Sequence, residues 1–288
     1  MKLVASCLVL LLLISVAHVA ECRRHHGRVK KKQRTHQPKL FVFGDDFADT
    51  GNSLSDPRLG YGSRAWRRPF GMSDAAHAEQ PSGRFSDGLV QPDFLAKIMG
   101  RTESPPPYTY DTWDDGIDDA GLNFAVGDDS GAFNLSAQTF GDVMASVVSQ
   151  LQDLGVSKVL VNTLQPLGCS PWQARELNYT SCNEAGNGGS DAHNTALRDR
   201  LLGGGGEDEG SALYAGRFTE RLRPCCETTD PGNGYCGLDG AYTVCDRPEE
   251  YFFWDNVHLT QAGWRAVMQL LQEGPVMAFL GISNLQHF

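Results

Sequence analysis

The chain has 288 residues, 41% hydrophobic and 21% charged, with a formal charge of −10. That length buries a sizeable core and suits one α/β domain, and the acidic body excludes nucleic acid as the main partner. The cations cluster instead near the start, where Arg23, Arg24, Arg28, Lys30, Lys31, Lys32, Arg34 and Lys39 stand with no acid between them.

The first residues have the pattern of a secretory leader. Lys2 precedes an apolar run over residues 8–16, and Ser15 and Ala17 offer a small-residue cut site, with Ala20 as the alternative. A short membrane anchor is the rival reading, but the run is short for a bilayer span. The expected organisation is a signal peptide over 1–20, a basic disordered arm over 21–38 and a single domain over 39–288, secreted to the extracellular space or cell wall. The arm is read as a solvated tail. The sharper alternative is adhesion to an anionic surface through Arg23 to Lys39.

The body alternates between strand-like and helix-like stretches. Residues 40–43 predict a short buried strand that ends at Gly44 and opens onto Asp45, Asp46 and Asp49. Residues 52–79, rich in Gly, Pro, Arg and Ser, read as loop, and 82–88 as turn. Phe94, Leu95 and Ile98 predict a helix over 90–99. A short apolar run from Gly121 opens onto a Gly-rich loop. Val143, Val147, Leu151 and Leu154 share a helical face, and residues 158–164 predict a buried strand. A helix is expected over 192–202, then a stapled, loop-rich stretch from Cys225 to Cys245. Thr260 then caps a helix carrying Trp264, Val267, Leu270 and Leu271. The alternation is that of an α/β sandwich with a largely parallel sheet, whose site collects at the carboxyl ends of the strands.

Eight cysteines fit an oxidising compartment. Leaving aside Cys7 and Cys22, six remain, and six allow 15 pairings. One pair is expected, Cys169 with Cys182. The rival, a zinc site, lacks paired Cys-x-x-Cys spacings. Asn134 and Asn178 head glycosylation triplets. No cofactor or metal requirement is visible.

Asp255 and His258 are the one spacing with catalytic meaning. A carboxylate three residues before a histidine can fix the imidazole tautomer and free its other nitrogen as a base. The plainer reading is a turn cap beside a surface histidine, and spacing alone favours it.

The whole set of segments changes that weighting. "FVFGDDFADTGN", "GRFSDG", "SPPPY", "NFAVG", "VLVNTLQPLGCSP", "PCC" and "FFWDNVHLTQAG" occur in this order. Together they resemble the plant secreted GDSL esterase/lipases of the SGNH hydrolase superfamily, over nearly all of residues 39–283. The resemblance implies a flavodoxin-like three-layer sandwich with a mostly parallel sheet. It implies carboxylic ester hydrolysis on small-molecule or polysaccharide esters, by a serine nucleophile, a histidine base and an orienting aspartate. Carried over by motif, His258 is the base, Asp255 orients it and Gly127 supplies an oxyanion N–H.

Two departures stand out. Asp46 occupies the nucleophile position, where the family has serine. The segment that should end in Gly-x-Asn-Asp, between the Gly127 loop and residue 158, is absent. The chain is thus expected to be one strand–helix unit short and to lack an oxyanion donor. Asn134 is the only Asn in that gap, and Asp128 stands where a second Gly is usual. A carboxylate attacking an ester would give a high-energy anhydride, so Asp46 is a poor substitute, and Ser53 and Ser55 lie past the turn. If Asp46 faces His258, two carboxylates should raise the histidine pKa. The reading is a GDSL-type ester hydrolase by resemblance. The alternative is an inactive relative that binds ester or glycan ligands, or a truncated product without function.

Overall fold

The computed structural model describes residues 38–110, 120–127, 136–202, 217–230, 234–238, 242–273 and 275–280. The expected signal peptide, nearly all of the basic arm, Asp128 and Asn134 lie outside the described residues.

The fold is α/β, with helices packed on parallel strand pairs. β1 (Leu40–Val42) pairs in parallel with β2 (Gly121–Asn123), Leu40 opposite Gly121. Parallel neighbours require a crossover. Its middle is helix α1 (Gln91–Ile98), where Asp93 accepts the Val90 N–H at 2.9 Å and so satisfies a free donor of the first turn. The same carboxylate takes a two-pronged contact from Arg84, at 2.8 and 2.9 Å. Helix α2 (Ala137–Asp153) starts six residues before the expected apolar face, because Ser136 Oγ caps it by accepting the Thr139 N–H at 3.2 Å. Helix α3 (Glu184–Leu202) likewise starts well before residue 192.

The expected loop-rich region carries strands. β3 (Glu220–Pro224) is followed by an antiparallel pair, β4 (Cys226–Thr228) and β5 (Tyr242–Val244), and β3 then pairs in parallel with β6 (Tyr251–Phe253). Disulfides fix this part: Cys225–Cys245 and Cys226–Cys236 tie the hairpin, and Cys169–Cys182 forms as expected. Helix α4 (Gln261–Glu273) begins where Thr260 Oγ1 accepts the Gly263 N–H at 2.9 Å, and α5 (Pro275–Leu280) follows.

Successive residues at the end of β6 face opposite ways, as a strand requires. Phe253 enters a core with Val90, Phe94, Ile98, Leu259, Trp264 and Met268. Trp254 enters another with Phe70, Phe85 and the cysteines of the hairpin. The loop that follows is therefore anchored on both sides.

Residues 158–164 correct the expectation of a buried strand: they form none, and Leu160 is 45% exposed. A strand exists only through ladder partners. Among the described residues β1 has a ladder neighbour on one edge alone, and Phe43 beside it is 61% exposed. Helix α2 packs on α3 through Gly141, while Val143, at 48%, and Val147 stay exposed. These uncovered faces agree with the expectation that the chain is one strand–helix unit short.

That surface separates two kinds of apolar residue. Phe94→Ala removes a fully buried ring from the core and should destabilise by about 3–5 kcal/mol. Val147→Lys should change stability by no more than about 0.5 kcal/mol. Urea denaturation of both variants checks this, and a large loss from Val147→Lys would mean that the α2 face is covered.

Candidate active site

Past Gly44 the chain makes one helical turn. The Asp45 carbonyl accepts the Ala48 and Asp49 N–H groups at 3.0 and 2.9 Å, and the Asp45 side chain accepts the Phe47 N–H at 3.1 Å. Asp49 turns inward and is wholly buried. Its Oδ1 accepts the Gly51 and Asn52 N–H groups, both at 2.7 Å. Its Oδ2 accepts the Ser53 N–H at 3.0 Å and the Gly127 N–H at 2.8 Å, and also the Ser53 hydroxyl. Residue 127 must be glycine, since a Cβ there would lie 2.3 Å from the Phe85 ring. The Gly127 N–H, expected to face an oxyanion, is thus held by the Asp49 carboxylate, with Ser53 Oγ at 3.0 Å. Ser53 is buried in that cluster and Ser55 is exposed. The side-chain amides of Asn52 and Asn123 are also engaged within the protein, on backbone carbonyls and on the Thr50 and Ser104 hydroxyls.

The histidine loop leaves β6. The Trp254 N–H donates to the His258 carbonyl at 2.7 Å and closes the loop. Asp255 Oδ1 accepts the Val257 and His258 N–H groups at 2.9 and 2.8 Å. The exit is pinned by Asp87, which accepts the Gln261 N–H at 2.6 Å, and by Ser86 Oγ, which donates to the Leu259 carbonyl at 2.9 Å. The "GRFSDG" turn therefore positions the histidine.

Asp255 both caps its turn and holds the ring: His258 Nδ1 lies 2.8 and 2.9 Å from its two oxygens. His258 is buried, not on the surface. Its other nitrogen, Nε2, lies 2.9 Å from Asp46 Oδ2. The contact is an ion pair, and Nε2 makes no aligned hydrogen bond. Phe85 stacks on the imidazole at 5.2 Å between centroids, and Phe47 lies 5.3 Å away. The structure thus brings Asp46, His258 and Asp255 together, with Gly127 on the neighbouring loop.

Arg64 and Tyr61 join the site without any signal in the spacing of the sequence. The buried Arg64 donates from Nη1 to Asp255 Oδ2 at 2.8 Å and from Nη2 to the Tyr61 hydroxyl at 2.7 Å. Its guanidinium lies over the Tyr61 ring at 4.0 Å. Burial drives the Tyr61 phenol up to about 12, so it stays neutral.

Burial alone would push the His258 pKa down. The carboxylates of Asp255 and Asp46 outweigh that and lift it to about 9. Burial would raise both carboxyls, yet the His258 and Arg64 charges hold Asp46 below its ordinary value and Asp255 well below it. At neutral pH the set is two anions and two cations. An imidazolium cannot accept a proton, and among the described residues no hydroxyl bonds its Nε2. Among the described residues no group of three or more His, Cys, Asp and Glu side chains converges to hold a metal ion.

These shifts fix a pH dependence. The raised histidine contributes stability that is fully present below its unfolded value near 6.5 and is lost as pH rises through about 9. The lowered Asp46 contributes stability above 3.8 that is lost as pH falls. NMR titration should give His258 an elevated pKa that drops by at least about one unit in Asp46→Asn. Equal pKa values in the two proteins would show that the carboxylate does not act on the ring.

A family model described as GDSL-like lipase/acylhydrolase matches residues 133–271. An Arabidopsis thaliana protein named GDSL esterase/lipase is 30% identical over 325 residues, covering 84% of this chain and 95% of the relative. A second of that name from the same plant is 30% identical over 321 residues, with 82% and 86% covered, and a third is 28% identical over 338, with 86% and 90% covered. Each alignment is longer than the 288 residues of this chain, so the relatives carry residues inside the aligned span that have no counterpart here. That surplus agrees with the uncovered faces of β1 and α2. On this similarity over most of its length, the chain belongs to the GDSL esterase/lipase family.

Proposed function

We propose that this chain is a secreted, non-hydrolysing member of its family, with a cleft that engages an ester-type ligand without turning it over. One observation carries the reading: a carboxylate, Asp46, faces His258 Nε2 at 2.9 Å, where acyl transfer needs a hydroxyl. Its attack on an ester would have to pass through an anhydride, and its charge keeps the histidine protonated. In the proposal His258 keeps the base position, Asp255 the orienting position and Gly127 the oxyanion loop, while the nucleophile is exchanged and one oxyanion donor is lacking.

Secretion is supported by the leader pattern of residues 1–20 and by three disulfides in the body. Glycosylation at Asn178 is supported by its exposed position at the end of a short helix. The basic arm over 21–38 is proposed as a solvated tail ahead of a single domain over 39–288.

Removing a serine nucleophile lowers turnover by on the order of 10⁶, and an absent oxyanion donor by about 10²–10³. Hydrolysis of p-nitrophenyl acetate by this chain should therefore equal that of its His258→Ala variant. Asp46→Ser should raise the rate on the order of 10³-fold, and the gain should vanish in Asp46→Ser/His258→Ala. Turnover by the unaltered chain that depends on His258 would overturn the proposal.

A further inference from the structure

A cleft of about 570 Å³ lies outside the Asp46–His258–Asp255 set and shares no residue with it. Its lining includes the apolar residues Trp66, Pro105, Pro106 and Pro107. The indole is fixed: its Nε1 donates to the Ser53 carbonyl at 2.7 Å. It lies close over Gly83, where a Cβ would come within 2.7 Å of the ring and the backbone has φ of 79°. Glycine at 83 is what lets the ring lie there.

Polar residues complete the lining, among them His77, Ser82, Arg84 and Glu103. Arg84, buried and clamped by Asp93, donates from Nη1 to Ser82 Oγ at 3.1 Å. Glu103 Oε2 lies 3.2 Å from His77 Nε2 and 3.9 Å from Arg84 Nη2. His77 is held in turn by Asp74, whose Oδ2 lies 2.7 Å from Nδ1. The turn that carries His77 places Ala78 and Glu79 both at φ of 56°, a strained conformation for residues other than glycine. Glu103 is therefore anchored through one oxygen. The other takes no hydrogen bond from the described residues and remains an acceptor at the cleft.

We propose that this cleft binds a neutral pyranose ring of an oligosaccharide. A flat indole and prolines match the C–H face of such a ring, and a fixed carboxylate with a hydroxyl nearby matches its hydroxyl edge. Charge disfavours an anion: Arg84 is already paired with Asp93, and Glu103 is the half-exposed carboxylate in the lining. Preorganised walls lower the entropy cost of binding and suit a shallow, polar site.

Calorimetric titration of the full chain with cellohexaose, xylohexaose and anionic trigalacturonate tests this. At least one neutral oligosaccharide should bind saturably with Kd below about 1 mM, and trigalacturonate at least about tenfold more weakly. Glu103→Ala, at a half-exposed position, should keep its thermal stability and weaken binding about tenfold or more. Asp46→Asn should bind as the unaltered chain does, which separates this cleft from the ester site. No saturable binding to either neutral probe, unchanged binding in Glu103→Ala, or loss of binding in Asp46→Asn would each overturn the proposal.

Discussion

A row of alternating charge, the buried Arg64, Asp255 and His258 and the partly exposed Asp46, is the constraint around which this site is arranged. Each member is tolerable inside the protein because its neighbour has the opposite sign. Taking an inner member away, Asp255 or His258, leaves an end member without its ion-pair partner. The surrounding structure reflects that demand. Arg64 is gripped by Tyr61, Asp255 by two backbone N–H groups of its own turn, and His258 by the rings of Phe85 and Phe47. The arrangement suits a closed ion network better than a general base. The carboxylates of Asp255 and Asp46 favour the charged form of the histidine at neutral pH.

The same logic reaches the loops. Asp49 gathers four backbone N–H groups and a hydroxyl, from residues 51–53 and from Gly127. It welds the first strand's exit to the loop after β2. The cost is that the Gly127 N–H already has a partner. Asp87 and Ser86 weld the α1 side to the histidine loop. Carboxylates that look like candidate acids in the sequence act here mainly as acceptors for backbone donors that would otherwise be buried unsatisfied.

The sheet tells the other half. Parallel strands are stable when both edges and both faces are covered. Here β1 has one ladder neighbour among the described residues, residues 158–164 form no strand, and α2 turns valines to solvent. The body is nevertheless held by two well-filled apolar clusters and three disulfides, none of which lies in the uncovered region around β1 and α2. Rigidity at the histidine loop thus comes from the half of the domain that is complete.

Local patterns in the sequence determined a good deal: the short strand before Gly44, though not its expected burial, since Phe41 and Phe43 are exposed, the helix around Phe94, the Thr260 cap, the Cys169–Cys182 pair, and the ordered motifs that place the chain in its family. Each depends on neighbours in sequence or on a motif with fixed internal spacing. The start of α2 and the strands between Cys225 and Cys245 were not legible, because a serine cap and disulfide-held pairing override weak apolar periodicity. Residues 158–164 were misread for the opposite reason: their composition is that of a buried strand, but a strand needs partners, and none is present in the described fold. Asp46 was visible where the family resemblance places the nucleophile. That it pairs with His258, that Gly127 is bound by Asp49, and that Arg64, 191 residues from Asp255 in sequence, completes the charge row were decided by tertiary structure alone. Long-range electrostatics depends on which side chains the fold buries together, and no spacing within a linear chain encodes that.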